Sequence, residues 1–395
     1  MLPDLETQNR IFTATATFMT TQQIYLDNNA TTRIDNRVLE AMLPYFTDLY
    51  ANANSSHLAG LIVNETLENA AWQTANLIGA KPSEIIFTSG ATEAINLAIK
   101  GLEKESRKHI VTVSTEHKAV LDTCHYMETI GFQVTYLPVS KEGILNLDEL
   151  EAIVTAETSL VIVMMANNET GTLQDMKKIG EIAHSKGALF LCDATQAVGK
   201  IPIAVQDLGI DLMPLSAHKF YGPKGVGALF ISNKIKTKIK PQITGGGQQK
   251  NRRSGTLNVP GIIGLGKACE IAGLEMESDQ ERINKLRAFL EKELLKIEGS
   301  FVNGSEEKRL YTTTNICFPK VNSENLILAL QHISISNGSA CSSVTTEPSY
   351  VLKALGLSDE DALSSIRFSL GRFTTLKEIE QAISQVTALV PQIRS

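Results

Sequence analysis

The sequence predicts an α/β protein: a large domain with a mixed, mainly parallel seven-stranded sheet covered by helices, plus a smaller α+β domain. Up to about residue 260, short apolar runs alternate with amphipathic stretches, which is the order of βαβ units. Most of these runs are almost continuously apolar, as strands covered on both faces are. The pattern then changes, because residues 261–297 have the periodicity of one or two long amphipathic helices.

The individual elements follow from these runs and from the turn residues between them. Strands are expected at 84–88, 109–114, 133–137, 160–165, 188–192, 210–215 and 227–231, with helices between them at 65–77, 93–100, 120–130 and 176–185. From residue 310 onward, shorter elements follow in the order strand, helix, loop, strand, helix. We therefore predict a flexible N-terminal tail at 1–23, a large domain at 24–260 whose segment 24–40 could pack on the small domain, and a small C-terminal domain at 261–395.

Composition and charge narrow the classes of function. The chain has 37 lysine and arginine residues against 43 aspartate and glutamate residues, a net charge of −6, so no general basic surface favours nucleic acid or an anionic membrane. No apolar run approaches the roughly 20 residues that a membrane-spanning helix needs. Asp4 and Glu6 argue against a signal or transit peptide. We expect a small substrate, no direct nucleic-acid partner and no membrane association.

The cysteines are widely scattered, odd in number and form no CxxC pair. They are Cys124, Cys192, Cys269, Cys317 and Cys341. This spacing argues against a disulfide framework and against a zinc site, so we expect no metal. A reducing, cytoplasmic location suits such thiols, and most of them are expected to be buried as small apolar residues, with Cys341 as the exception.

Two strand ends suggest a cofactor site. Lys219 follows strand 210–215 where the chain becomes irregular, so its amine could face a crevice and form a Schiff base; a surface lysine in a loop is the alternative. Asp193 ends the preceding strand, where a buried carboxylate needs a cationic partner such as a protonated pyridine nitrogen. An aspartate capping the next turn is the alternative. Adjacent strands would bring both side chains to one edge of the sheet.

Three further strand ends carry polar groups. Segment 87–93 follows a strand and opens a helix, so its backbone N–H groups and the Thr92 hydroxyl could hold a phosphate; a simple helix cap is the alternative. His117 could stack on a ligand or protonate it, and Asn168 could hydrogen-bond a phenolic oxygen. A structural role is the alternative for a lone loop histidine.

Two loops and one arginine complete the candidates. Segment 245–256, with a glycine run and two arginines, could close on an anion or be a plain linker. Cys341 lies in a loop of small residues, where its thiolate would be a strong nucleophile if nearby cations or a histidine lowered its pKa. Arg367 lies in a strand-like context, where its guanidinium could bind a carboxylate through two hydrogen bonds. A surface ion pair is the alternative.

These segments together resemble cysteine desulfurases, which are pyridoxal-phosphate enzymes of fold type I in the class V aminotransferase superfamily. The resemblance covers nearly all of residues 24–390. The matching segments are YLDNNATT at 25–32, FTSGATEAINLAIKG at 87–101, TEHKAVLDTC at 115–124, NNETG at 167–171, DATQAVGK at 193–200, SAHKFYGPKGVGALF at 216–230, GGGQQ with RRSGT, and SNGSAC with EPSYVLKALG. The fold, the cofactor and the residue roles that follow are implications of this resemblance.

The resemblance implies a role for each residue around the cofactor ring. Lys219 would carry pyridoxal 5′-phosphate covalently, Asp193 would contact the pyridine nitrogen, and His117 would lie over the ring face. Asn168 and Gln196 would flank the ring oxygen. These roles require all five side chains to share one cavity.

Further roles concern the phosphate and the second subunit. Ala91, Thr92, Ser216 and His218 would hold the phosphate group. Thr256 would reach that phosphate from the second subunit of a homodimer. The site would then be complete only in the dimer.

The remaining roles define the reaction. Arg367, helped by Asn168, would bind the carboxylate of L-cysteine, and Cys341 would accept the sulfur as a persulfide, leaving L-alanine. The persulfide would pass to an acceptor protein such as an iron-sulfur scaffold, for cluster assembly or tRNA thiolation. Two rivals stay open: another pyridoxal-phosphate reaction, namely an aminotransferase or a selenocysteine lyase, and a non-enzymatic sulfur carrier. The sequence departs from relatives at Ala53 and Pro214, neither of which has a proposed catalytic role.

Overall fold

The computed structural model describes residues 23–338 and 347–394, so the predicted tail lies outside the described residues except for residue 23. The helices are α1 (Asn36–Met42), α2 (Pro44–Thr47), α3 (Leu58–Leu77), α4 (Ala91–Lys100), α5 (Lys118–Thr129), α6 (Leu147–Ile153), α7 (Met176–Ser185), α8 (Val259–Leu294), α9 (Ser323–Ala329), α10 (Tyr350–Ala354), α11 (Asp359–Leu363) and α12 (Leu376–Ile393). The strands are β1 (Ile24–Tyr25), β2 (Ile85–Thr88), β3 (His109–Val113), β4 (Gln133–Leu137), β5 (Thr158–Met164), β6 (Leu189–Asp193), β7 (Leu212–Ser216), β8 (Gly227–Ile231), β9 (Phe301–Val302), β10 (Thr313–Cys317), β11 (Ile333–Ser334) and β12 (Ser365–Ser369).

The large sheet has seven strands in the order β2-β8-β7-β6-β5-β3-β4. Strand β8 runs antiparallel to both of its neighbours, and the other neighbouring pairs are parallel. Each predicted strand is present, with ends displaced by at most two residues. The structure therefore confirms the mixed, mainly parallel sheet.

The strands are buried because helices cover both faces of the sheet. One face packs against α4 and α5, where Ile95 and Val120 join a buried apolar cluster. The other face packs against α3, α7 and the first part of α8, which contribute Leu67, Ile179 and Ile262 to a second cluster. This double cover explains the almost continuously apolar strand sequences.

Pro214 lies inside β7 and does not end it. It pairs in antiparallel register with Leu229 of β8. Toward β6, the paired residues are Leu191 and Leu212 alone among those described. Because proline has no N–H to donate, it shortens the ladder on that side while the other side of the strand stays intact. The predicted strand therefore continues through Pro214.

A second, smaller core follows in the chain. Strands β12, β10 and β9 form an antiparallel sheet that packs with α9, α12 and the last part of α8. Ile24 and Leu26 belong to this core, and β1 pairs in parallel with β11. Val38 of α1 packs instead on the core of the large sheet. The proposed division into two domains stays a prediction.

Helix α8 connects the two cores. It is a single helix of 36 residues that begins at a cap in which Asn258 accepts a hydrogen bond from the Gly261 N–H. Ile262 packs in the large core and Ile283 in the small one. In the part of the chain that the structure describes, this and every other helix is too short or too polar to cross a membrane.

Candidate active site

A cavity of about 760 Å³ lies at the carboxyl ends of the parallel strands of the large sheet. The predicted site residues that line it are Ala91, Thr92, His117, Asn168, Asp193, Gln196, Ser216, His218, Lys219 and Arg367. Most of them directly follow β2, β3, β5, β6 or β7. Parallel strands end at the same edge of a sheet, so side chains far apart in sequence surround one space.

One predicted site residue, Thr256, does not line this cavity, and another, Cys341, is not described. Thr256 is exposed and follows Gly255, whose N–H donates to Gln248 Oε1 (2.8 Å). Cys341 belongs to segment 339–346, which lies outside the described residues. Gly338 and Glu347, on either side of that segment, both line the cavity.

The amino end of α4 forms one end of the cavity. Gly90 precedes this ten-residue helix, and a side chain at this position would contact Ser216 Oγ at 3.6 Å. The first N–H groups of a helix have no carbonyl acceptor within it. Together with the hydroxyls of Thr92 and Ser216, these groups form the kind of site that binds a phosphate.

The segment 245–256 packs onto the edge strand beside this helix end. The side-chain amide of Gln249 accepts a hydrogen bond from the Phe87 N–H (2.7 Å) and donates to the Phe87 carbonyl (2.8 Å), as a neighbouring strand would. Arg253 forms an ion pair with Glu93 (2.8 Å). Although burial raises the pKa of Glu93, the hydrogen bonds from Arg253 and Ser89 lower it overall. Arg253 of this loop therefore binds a carboxylate of its own chain.

The amine of Lys219 is held by a backbone turn from the start of the chain. Lys219 ends a short 3-10 turn, Ala217–Lys219, directly after β7. Its Nζ donates to the carbonyl oxygens of Asn29 (2.6 Å) and Ala30 (2.8 Å). Sequence reasoning missed these two acceptors, because no periodicity or spacing indicates a contact between segments 190 residues apart.

Asp193 is buried at the end of β6, in register with Met164 of β5. Its Oδ1 accepts hydrogen bonds from the backbone N–H (2.9 Å) and the hydroxyl (2.5 Å) of Thr195. The two sequence interpretations of Asp193, a turn cap and a residue of a cofactor site, are therefore compatible with each other. Asp193 caps the following turn, and it also lines the cavity.

His117 caps the amino end of α5. Its Nδ1 accepts a hydrogen bond from the Ala119 N–H (3.1 Å), so the proton of the neutral ring is on Nε2. Burial lowers the pKa of His117; the charge of Asp193 opposes this effect, and that of Lys219 adds to it. We infer that His117 is a neutral imidazole at pH 7.

His218 lies between Ser216 and Lys219 on the cavity wall. Its Nδ1 is 3.1 Å from Thr31 Oγ1. Burial, with smaller contributions from Lys219 and Lys224, lowers the pKa of His218 to about 4. At neutral pH it can therefore contribute a hydrogen bond to an anion, but no positive charge.

Arg367 and Asn168 form the opposite side of the cavity. Arg367, on β12, is 2% exposed; it donates to Asp27 Oδ1 (2.6 Å) and to the backbone carbonyl of Asn168 (3.0 Å). Asn168 Oδ1 and Arg367 Nε are buried and have no hydrogen-bond partner among the described residues. Buried polar atoms are nearly always paired, so these two atoms indicate where a ligand binds.

Two buried carboxyl groups beside the site were not predicted. Glu116 is completely buried and accepts a hydrogen bond from the Met164 N–H (2.6 Å). Burial, and then the charge of Asp193, raises its pKa well above the usual range. Burial also raises the pKa of Glu169, which accepts a hydrogen bond from the Ser349 hydroxyl (2.6 Å). Each follows a buried strand and sits beside a predicted site residue, and that position was the available signal.

The four described cysteines are free, buried thiols, which confirms the prediction for them. Burial raises the pKa values of Cys124, Cys269 and Cys317 to about 12 and that of Cys192 well above its usual range. None of the four is therefore suited to act as a thiolate at neutral pH. Among the described residues, no cluster of His, Cys, Asp or Glu could hold a metal ion.

Comparison with known proteins places this site in a family. The family described as aminotransferase class V matches residues 24–382. The chain belongs to the class V aminotransferase family. Enzymes of this family depend in general on pyridoxal phosphate.

Individual class V relatives are similar over most of their length. The mitochondrial cysteine desulfurase of Arthroderma benhamiae is 48% identical over 377 residues, which cover 94% of this chain and 75% of that protein. A solved structure of a NifS-like protein has a TM-score of 0.88 and 38% identity, with 94% of this chain and 100% of that chain covered. SspA in complex with cysteine has a TM-score of 0.81 and 37% identity, with 89% and 100% covered. The predicted resemblance to cysteine desulfurases and the predicted fold class are confirmed.

Proposed function

We propose that this protein is a cysteine desulfurase, a sulfurtransferase that converts L-cysteine to L-alanine and a persulfide on Cys341. The observation that carries the proposal is that Lys219, Asp193 and Arg367 line one cavity. An amine can hold the cofactor, a buried carboxylate suits its ring nitrogen, and a buried guanidinium suits the substrate carboxylate.

Pyridoxal 5′-phosphate is the cofactor that fits this cavity. The unpartnered Asn168 Oδ1 and the open amino end of α4 match a ligand with a polar ring and a phosphate. The residues that would hold it are Lys219 by a covalent bond, Asp193 at the pyridine nitrogen, His117 at the ring face, Asn168 and Gln196 at the ring oxygen, and Ala91, Thr92, Ser216 and His218 at the phosphate. When bound, the cofactor supplies an electron sink that stabilises negative charge at the substrate Cα.

The side chains of the cavity bind the substrate and move its proton. Arg367 binds the carboxylate of L-cysteine, with Asn168 beside it. The Lys219 amine would remove the Cα proton of the substrate. His117 is held by the Ala119 N–H with its Nε2–H free to donate on the ring face.

Cys341 performs the sulfur transfer. Its thiolate attacks the substrate sulfur, so an S–S bond forms while the bond between sulfur and the substrate carbon breaks. The electron pair of the broken bond stays on that carbon, which is then protonated to give L-alanine. The placement of Gly338 and Glu347 in the cavity wall supports this role, and the persulfide goes on to an acceptor such as an iron-sulfur scaffold protein.

A second copy of the chain is the partner that fits the exposed apolar surface of α1 to α3. Leu58, Leu61, Ile62 and Trp72 recur at helical spacing on α3 and are 41–74% exposed. Exposed apolar patches of this kind mark interaction surfaces. In the resulting homodimer, the exposed Thr256 of one copy would reach the phosphate of the other.

A cytoplasmic location is the remaining part of the proposal. Free thiols at the four described cysteines suit a reducing compartment. The Arthroderma relative is named as mitochondrial, so the location differs within the family. Cell fractionation with a specific antibody tests this part independently of the activity.

Absorbance spectroscopy and mass spectrometry test the proposed reaction. The purified protein should show the absorbance band of pyridoxal phosphate, and Lys219→Ala should abolish the covalent form of that band. Cys341→Ala should keep the band but lose sulfide release from L-cysteine. After reaction with L-cysteine, the peptide containing Cys341 should carry one added sulfur atom. A colourless protein that does not bind the cofactor, or sulfide release unchanged in Cys341→Ala, would refute the proposal.

A further inference from the structure

Lys200 is a buried lysine behind the cavity. It is 4% exposed and does not line the cavity. Its Nζ donates to Gln196 Oε1 (3.0 Å), and among the described residues no carboxylate lies within ion-pair distance of it. The described hydrogen bond through which Lys200 can affect the site is therefore the one to Gln196; the charge of Lys200 also acts on His218.

Gln196 connects Lys200 to the backbone turn that holds Lys219. Its Nε2 donates to the carbonyl oxygen of Asn29 (2.9 Å), and the same oxygen accepts from Lys219 Nζ. One N–H of the Gln196 amide is thus used, and the second is available to the cavity that Gln196 lines.

The orientation of this amide decides whether Gln196 donates or accepts. If the amide flipped, its oxygen would face the Asn29 carbonyl, and two acceptors would meet without a proton between them. When it is protonated, Lys200 can only donate, and it then favours the observed orientation because it requires an acceptor, Oε1, on its side.

Lys200 is unfavourable for the stability of the fold. Burial, together with the positive charges of Lys219 and Arg367, lowers its pKa to about 7. Removing an ammonium group from water costs free energy, and one hydrogen-bond acceptor does not compensate for it. Methionine, which is of similar length, would not have this cost. The contact with Gln196, and not core packing, therefore accounts for a lysine at this position.

We propose that Lys200 is a positioning residue that fixes the side-chain amide of Gln196 so that an N–H group faces the cofactor ring oxygen. This inference rests on the proposed function, because the ring oxygen belongs to pyridoxal phosphate. A donor at that oxygen draws electron density from the ring. It therefore lowers the pKa of the nitrogen atom that would join Lys219 to the cofactor. Loss of the donor should raise that pKa.

Absorbance titration of the cofactor-loaded enzyme between pH 5 and pH 10 measures this pKa directly, without turnover. For Lys200→Met, we expect the midpoint to rise by roughly one pH unit, the size of effect that one lost hydrogen bond to a charged form produces. Lys200→Arg, which keeps a donor facing Gln196, should stay near the wild-type midpoint. Lys224→Met removes a positive charge from the exposed rim of the same cavity and controls for charge loss alone; its midpoint should not move.

A double-mutant cycle tests whether Lys200 acts through Gln196. In the Gln196→Ala background, Lys200→Met should cause no further change in the midpoint. A full additional shift in that background, or no shift for Lys200→Met alone, overturns the inference. Lys200→Leu, which also has no donor, replaces the methionine variant if the latter does not fold. Failure of the proposed function looks different, because the wild-type protein itself would then have no cofactor absorbance to titrate.

Discussion

Replacing Arg367 by lysine tests whether the proposed substrate site requires a guanidinium group or only a positive charge. A guanidinium has five N–H donors, and the described contacts with Asp27 and Asn168 use two of them. Lysine keeps the charge but has three donors on one nitrogen, so the same two acceptors would leave a single N–H for the substrate carboxylate. A hydrogen bond to a charged group is worth about 1.5–3 kcal/mol. Losing one of two such bonds corresponds to a loss of about 10- to 150-fold in kcat/KM.

Steady-state release of alanine at varied L-cysteine concentration measures this loss. The cofactor absorbance of Arg367→Lys should equal that of the wild type, because the proposed cofactor contacts do not include Arg367. Arg372→Lys is the control: Arg372 is partly buried and ion-paired, with Asp35 and Asp279, but does not line the cavity. An unchanged kcat/KM in Arg367→Lys, or an equal loss in Arg372→Lys, contradicts the assignment.

Two further predictions concern buried groups beside the cavity. The pKa of Glu116 is raised in the folded protein, so the unfolded chain releases this proton first, and the free energy of unfolding falls as the pH rises above the unfolded value. Glu116→Gln should therefore match the wild type in thermal stability at pH 4 and exceed it increasingly up to pH 8; an advantage that does not grow with pH contradicts this. Gly338→Ala should lower the free energy of unfolding by about 1–3 kcal/mol in urea titration, because φ is +93° and a Cβ would collide with Glu169 Oε2. Gly356→Ala, at φ +92° with open space, isolates the backbone strain, and equal losses in both variants would rule out the collision.

The sheet and the strand-end residues could be predicted because they depend on local sequence. A run of apolar residues identifies a buried strand, and right-handed connections between parallel strands place successive strand ends at one edge. Asp193 and Lys219 were brought together by this reasoning alone, and both line the cavity. The observed strand ends differ from the predicted ends by up to two residues, because hydrogen bonding to a neighbouring strand decides where a strand stops.

The backbone acceptors of Lys219 could not be predicted in this way. Asn29 and Ala30 contribute carbonyl oxygens, which every residue has, so residue type carries no information about the contact. Pro214 is a second case in which local sequence rules are not sufficient. A proline in a strand is unfavourable by sequence rules, but β7 accommodates it because its antiparallel pairing with β8 remains complete.

The segment 25–32 contacts both halves of the proposed site. Asp27 forms an ion pair with Arg367 on the small sheet (2.6 Å), while Asn29, two residues later, holds Lys219 at the end of the large sheet. Asn28, between them, donates to the Ser369 carbonyl (2.9 Å) at the end of the strand that carries Arg367. The proposed substrate anchor and the proposed reacting amine follow different sheets, and this segment contacts both. A catalytic geometry that depends on both groups therefore depends on a segment that contributes backbone carbonyls and a supporting carboxylate, and no reacting group.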